Sequence, residues 1–99
     1  MAGLASEQQM ATRAADILKA VAHPLRLQIV AILCEHDVCV GDLAERLGVK
    51  QPIVSQQLRI LRMRGLAEPR RKNGLSMYRL MQPHLKQLIR CMNKCVGCN

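Results

Sequence analysis

The dipeptide Asn73-Gly74 constrains the fold of this chain more than any other feature of its sequence. Asparagine followed by glycine favours a two-residue hairpin turn, because both residues tolerate the positive φ angles that such a turn requires. Short strand-like segments flank the dipeptide, at about 66–71 and 75–80. The sequence therefore predicts a small β-hairpin late in the chain.

Apolar residues elsewhere recur every three or four positions, which is typical of helices that bury one face. Tyr78 is the one aromatic residue among 99, so the core must consist of aliphatic residues and methionine, several of which favour helices. Helices are predicted over residues 7–22, 24–35, 42–47, 51–64 and 83–96. The expected class is mainly α with a small β-hairpin, in the order α-α-α-α-β-β-α, within one domain of residues 1–99.

No membrane partner is expected for this chain, and a cytoplasmic location is predicted. The longest apolar run, near Ile29–Cys34, is too short to cross a bilayer. The first nine residues lack the basic and apolar pattern of a secretory signal.

Basic residues are concentrated in the second half of the chain. Residues 1–49 carry four basic and six acidic side chains, whereas residues 50–99 carry eleven basic side chains and one acidic one. A surface with this excess of positive charge attracts polyanions by Coulomb attraction and counterion release. Charge alone leaves three partners open, namely nucleic acid, an acidic protein and a membrane surface.

The third and fourth predicted helices are joined by a short turn that contains Gly48, an arrangement typical of a helix-turn-helix, here over about 41–64. The exposed face of the fourth helix carries residue types that reach base edges and phosphates, namely Gln51, Pro52, Ser55, Gln56 and Arg59. The hairpin over 66–80 adds a basic tip made of Arg70, Arg71 and Lys72, which suits a minor groove or a phosphate backbone. The combination predicts a winged helix-turn-helix that binds double-stranded DNA, although an ordinary helical hairpin with solvated polar residues remains the alternative.

Several segments of the chain share a distinctive combination of residues: Ala22–Leu27, Asp37–Ala44, Val54–Arg62, Gly65–Ala67 and Tyr78–Leu80. Together they resemble the ArsR/SmtB family of bacterial repressors, over roughly residues 11–90. The resemblance implies a homodimer whose first and last helices, at about 7–22 and 83–96, form the interface. It also implies a DNA site with two-fold symmetry and release of DNA when an inducer binds.

The chain contains five cysteines, which are Cys34, Cys39, Cys91, Cys95 and Cys98. An odd number in a chain without a predicted export signal does not indicate a disulfide framework. The last three are spaced by four and three residues, so a continuing helix places them along one face. Their sulfurs could converge on one thiophilic ion, such as As(III), Hg(II), Pb(II), Cd(II) or Zn(II), because thiolates prefer soft cations.

The family resemblance bears on which of these thiols would bind a metal ion. Zinc-sensing members use carboxylate and histidine ligands on the last helix, whereas this chain has Gln82 and a Cys95-x-x-Cys98 pair, which favours a thiolate site. Arsenic sensors carry two cysteines where this chain has Cys39 and Gly41, so Cys39 is a candidate metal ligand only together with the C-terminal thiols. The alternative for Cys39 is a partly buried structural role.

The family's sulfide and redox sensors imply a second sensing chemistry. In them a cysteine of the second helix bridges to one near the C-terminus, which corresponds here to Cys34 with Cys95 or Cys98. Alternatively, Cys34 is a small apolar residue of the core with no sensing role.

Three functions are therefore predicted, and an enzyme is not among them. The first is a DNA-binding repressor that a thiophilic metal or metalloid releases from its operator. The second is a repressor that senses persulfide or oxidants through Cys34, and the third is a zinc-stabilised protein-interaction module. No acid–base pair or nucleophile–base arrangement is visible in the sequence, so catalysis is not expected.

Overall fold

A computed structural model of the chain describes residues 3–97. The elements follow one another as α1 (Gln8–Val21), α2 (Pro24–Glu35), β1 (Val38–Cys39), α3 (Val40–Leu47), α4 (Gln51–Met63), β2 (Ala67–Lys72), β3 (Leu75–Leu80) and α5 (Leu85–Val96). The helices and the hairpin predicted from the sequence are all confirmed in this range. Their ends differ by one or two residues: α3 begins at Val40, two residues earlier than predicted, and α5 begins two residues later, at Leu85.

The ends of the helices follow from local chemistry. Pro24 occupies the first turn of α2, where its missing N–H costs no hydrogen bond, and the backbone N–H of Leu25 donates to Nδ1 of His23 at 3.2 Å. Gly48 ends α3 with a φ angle of 67°, a left-handed conformation that favours glycine. Lys50 occupies the N-cap position of α4 only two residues later. This short connection holds α3 and α4 at a fixed angle, as a helix-turn-helix requires.

The hairpin belongs to a three-stranded antiparallel sheet with the order β1-β3-β2. Lys72 pairs with Leu75 across the turn, and Asn73 and Gly74 have φ angles of 52° and 80°. The predicted two-residue turn is therefore confirmed. The strand β1 was not predicted, because two residues are too few to show an alternating pattern and their partners on β3 lie about forty residues away.

The hydrophobic core lies where α2, α3 and α4 meet the base of the sheet. Its largest fully buried side chains are Ile29, Val30, Leu43, Val54, Leu58, Leu61 and Leu66. Each such aliphatic side chain contributes about 1.5–3 kcal/mol through removal from water. Because Val54, Leu58 and Leu61 point into this core, the opposite face of α4 is presented to solvent.

The outer helices α1 and α5 bury only part of their apolar surface. Val21 of α1 and Ile89 of α5 are buried, but Leu18 is 51% exposed and Val96 is 76% exposed. Within residues 3–97, no helix is long and apolar enough to span a membrane by itself. In this range, only α1 and α2 taken together reach the length and apolar composition of a membrane span, and these two helices are bent by 99°.

Candidate nucleic-acid interface and thiol sites

The outer face of α4 is polar and exposed. Each of its predicted DNA-binding residues lies in solvent: Gln51, Pro52, Ser55, Gln56 and Arg59. The N-terminus of α4, which carries the first two of these, has the partial positive charge of the helix dipole, which favours a nearby phosphate. Pro52 has no N–H, and the N–H of Ile53 donates to the carbonyl oxygen of Lys50 at 3.0 Å. The face therefore combines groups that hydrogen-bond to bases with groups that hold a backbone.

Two contacts on α4 refine this picture. The Nε2 atom of Gln51 lies 3.5 Å from the position that a Cβ atom on Gly41 would occupy, so the Gln51 side chain extends across the start of α3. Ile53 is 43% exposed although it is aliphatic, and it lies outside the buried stripe of α4. The sequence analysis did not select Ile53, although an exposed aliphatic residue beside base-reading groups suits the methyl group of thymine.

The wing, residues 67–80, carries its positive charge at its tip. Arg70, Arg71 and Lys72 are all exposed. At the base of the wing Arg79 makes two contacts with Oε2 of Glu68, its Nε donating at 2.7 Å and its Nη2 lying at 2.6 Å. The single carboxylate of the C-terminal half is thus engaged at the base, away from the tip.

Gln57 differs from its polar neighbours on α4 because another helix holds it. The Nη1 group of Arg26 donates to Oε1 of Gln57 at 3.0 Å, and Nε of the same side chain donates to the carbonyl oxygen of Ala20 at 2.6 Å. Neither Arg26 nor Gln57 was selected as a site residue from the sequence. No periodicity could indicate the pair, because the partners are 31 positions apart.

Three of the five cysteines lie on α5 or at the start of α3 within the described residues. Cys91 and Cys95 are exposed on successive turns of α5, whereas Cys39 lies half-buried where β1 meets α3. Cys98 lies outside the described residues. Within residues 3–97, no three His, Cys, Asp or Glu side chains are grouped closely enough to hold a metal ion. The structure thus brings two of the four predicted metal ligands onto one helix and does not bring Cys39 to them.

Cys34 faces α5 across a cleft of about 220 Å³ whose other walls include Lys86, Arg90 and Asn93. At the opposite end of α2, Pro24 shares a cleft with Val96. The two helices therefore run antiparallel, with Cys34 near the beginning of α5 and Cys95 near its end. A disulfide needs Cα atoms within about 7 Å, and Cys34 and Cys95 are both free thiols in the structure.

Burial raises the pKa of the Cys34 thiol; Lys86 acts to lower it and Glu35 to raise it further. Because the thiolate is the nucleophile, we expect iodoacetamide to modify Cys34 more slowly than Cys91 and Cys95 at neutral pH. The pH at which the modification rate of Cys34 reaches half its maximum should lie above the ordinary thiol pKa in the folded protein. This midpoint should fall when urea unfolds the protein. Because the pKa of Cys34 is raised in the folded state, this thiol contributes to the free energy of unfolding below the ordinary thiol pKa. That contribution is lost as the pH rises through the raised pKa.

Peptide mass spectrometry over a pH series measures these rates residue by residue. The exposed thiols Cys91 and Cys95 serve as internal controls in the same sample. Equal rates for all three thiols in the folded protein would contradict the assigned burial of Cys34.

The fold and the exposed face of α4 define a winged helix-turn-helix protein, as predicted. A family model described as "Bacterial regulatory protein, arsR family" matches residues 23–68. The biofilm growth-associated repressor of Xylella fastidiosa is 38% identical over 85 residues, which cover 86% of this chain and 75% of that protein. The chain belongs to the ArsR family of bacterial regulatory proteins, and the family resemblance seen in its sequence is confirmed.

Solved structures agree with this assignment. The transcriptional repressor BigR from Xylella fastidiosa matches with a TM-score of 0.85 and 35% identity, over 93% of this chain and 94% of that one. The homodimeric winged helix-turn-helix DNA-binding domain of Mb0332 from Mycobacterium bovis matches with a TM-score of 0.76 and 27% identity, over 98% and 91%. The first of these proteins is described as a transcriptional repressor and the second as a possible transcriptional regulator.

Proposed function

We propose that this protein is a homodimeric repressor that binds operator DNA through α4 and the wing. The observation that carries the proposal is the exposed polar face of α4 packed beside a hairpin with a basic tip. Gln56 has donor and acceptor groups and Arg59 has donor groups that read base edges, and Arg70 and Lys72 suit phosphates. A protein that regulates bacterial genes in this way acts in the cytoplasm.

The dimer is supported by apolar surface on the two outer helices. Leu18 of α1 is 51% exposed, and Met92 and Val96 of α5 are 38% and 76% exposed. Both helices pack against α2, and exposed apolar side chains on them indicate a surface that a partner covers. A two-fold axis through α1 and α5 leaves α4 of each protomer outside the interface, and two such helices about 34 Å apart fit successive turns of a palindromic duplex.

The inducer that we propose is a thiophilic metal or metalloid held by Cys91, Cys95 and Cys98. Two of these thiols are exposed one helical turn apart, which suits a soft ion such as As(III), Hg(II), Pb(II), Cd(II) or Zn(II). Because α5 packs against α2 and carries exposed apolar residues of the proposed dimer interface, a constraint on its end alters the relative placement of the two α4 helices. DNA is released only if the constrained dimer prefers the form that does not fit the operator.

A second candidate is a repressor that senses persulfide or oxidants through Cys34. The observation in its favour is that Cys34 lines a cleft against α5, the helix that carries Cys91 and Cys95. The bridge would join Cys34 to Cys95 or Cys98, within one protomer or between the two protomers of the dimer. Membership of a family of regulators makes both repressor hypotheses stronger than the zinc-stabilised interaction module.

The test of the DNA-binding proposal uses the wild-type protein and a library of random duplexes. We expect it to select a palindromic duplex, to bind it with two protomers, and to lose about 10³-fold or more in affinity between 50 and 200 mM salt. Fluorescence anisotropy gives the affinity, and sedimentation of the free protein gives the oligomeric state. A monomer with no salt-sensitive affinity for any duplex would refute the proposal.

A further inference from the structure

We propose that Arg26 is a positioning residue, which sets the placement of α4 against DNA by holding Gln57. The inference rests on the proposed DNA-binding function. Its basis is the pair of hydrogen bonds from one guanidinium, at 2.6 Å to the Ala20 carbonyl oxygen and at 3.0 Å to Oε1 of Gln57.

The guanidinium of Arg26 connects three helices. Ala20 lies in the last turn of α1, Arg26 lies in the first turn of α2, and Gln57 lies in the middle of α4. Because the guanidinium is planar and rigid, the direction of one hydrogen bond determines the direction of the other. Both bonds are partly buried, where competition from water is weaker than at the surface. The contact therefore restricts rotation and sliding of α4 relative to the end of α1 and the beginning of α2.

Gln57 is placed to transmit this restriction to the reading face, by which we mean the exposed face of α4 that carries Gln51, Pro52, Ser55, Gln56 and Arg59. Its neighbours Ser55 and Gln56 are exposed, whereas Gln57 is half-buried and its amide oxygen already accepts from Arg26. A small rotation of α4 about its axis moves the base-reading groups. Such a rotation alters sequence-specific contacts more than contacts with phosphates, because base contacts demand closer geometry.

The helix α2, which carries Arg26, also contacts α5, which carries Cys91 and Cys95. Leu27, Ala31 and Cys34 of α2 line clefts whose other walls belong to α5. One element thus contacts α5 through apolar groups and α4 through a charged hydrogen bond. A change in the packing of α5 on α2 reaches the reading face by this route.

The test compares Arg26→Met, Gln57→Met and the double variant on the duplex selected by the wild-type protein and on a random duplex. We expect each single variant to bind the selected duplex about tenfold more weakly, the size of effect associated with a hydrogen bond to a charged group. The double variant should be no weaker than the weaker single variant, because both remove the same contact. Affinity for the random duplex and the slope of affinity against salt should remain within about twofold of wild type.

Gln56→Met is the matched control, since it removes a neighbouring glutamine that Arg26 does not hold. Its effect should add to that of Arg26→Met. A role limited to stability would lower the thermal unfolding midpoint and leave the ratio of selected to random affinity unchanged in the folded protein. That result would overturn the inference, as would additive effects of Arg26→Met and Gln57→Met.

Two further measurements keep the test decisive. If Arg26→Met does not fold, Gln57→Met and Arg26→Lys carry the comparison, because lysine keeps the charge and loses the rigid fork. A tenfold loss of selectivity in either supports the inference, and wild-type selectivity in both overturns it. Failure of the wild-type protein to bind any duplex is a separate result, which contradicts the proposed function itself.

Discussion

A variant in which Arg70, Arg71 and Lys72 are replaced by alanine is expected to bind the operator at least about 100-fold more weakly at 0.15 M salt. The three side chains are exposed at the tip of the wing, beside a turn that projects them away from the core. Each phosphate contact that is lost reduces the slope of log affinity against log salt by about 0.9. The measurement is fluorescence anisotropy over a salt series with the selected duplex.

The matched control removes the same charge from a different face. Lys86, Arg90 and Lys94 are exposed on α5, which packs against α2. Their replacement by alanine lowers the net charge by the same amount. It should change the slope of log affinity against log salt by less than the value of about 0.9 that one phosphate contact contributes. Equal losses in the two triple variants would mean that net charge, rather than the wing, governs binding.

Serine substitution of Cys91, Cys95 and Cys98 is expected to abolish release by a thiophilic inducer while leaving DNA affinity in its absence within about twofold. Cys91 and Cys95 are exposed, so the exchange of sulfur for oxygen leaves the core intact. Coupling between inducer and DNA is typically about 1–3 kcal/mol, which corresponds to a 5- to 150-fold weakening of DNA binding in the wild-type protein. Operator mobility shift with arsenite, mercury, lead, cadmium and zinc salts measures it.

Single serine variants at Cys34 and Cys39 are the controls for this experiment. Under the metal hypothesis with three C-terminal ligands, both variants keep the wild-type response to the ion. If Cys34→Ser instead loses release by polysulfide while no metal releases wild type, the redox hypothesis replaces the metal one. Mass spectrometry after each treatment distinguishes a bound ion from a bridge between two sulfurs.

Much of the reading surface could be predicted from local sequence. The turn at Gly48 and the two residues Asn73-Gly74 each require a particular backbone conformation, and the structure shows the expected positive φ angles. The stripe Val54, Leu58 and Leu61 has helical spacing, so the opposite face of α4 had to be the exposed one. Local patterns of this kind depend on neighbours in the chain and need no knowledge of the fold.

The thiols show where local patterns reach their limit. Spacing alone correctly places Cys91 and Cys95 on one helix, but it does not show that Cys34 faces the opposite end of α5. It also does not show that β1, which ends at Cys39, pairs with β3. Both facts depend on how distant segments pack.

By itself the sequence determined the order of the helices, the hairpin, the basic half of the chain and the family to which it belongs. These features are encoded by periodicity, by residues with special backbone angles and by charge, all of which are local. Tertiary structure alone decided that Arg26 joins Ala20 to Gln57, that Arg79 engages Glu68 and that burial raises the pKa of Cys34. Such contacts arise only when the apolar core has brought separate helices and strands together, and so no local pattern reports them.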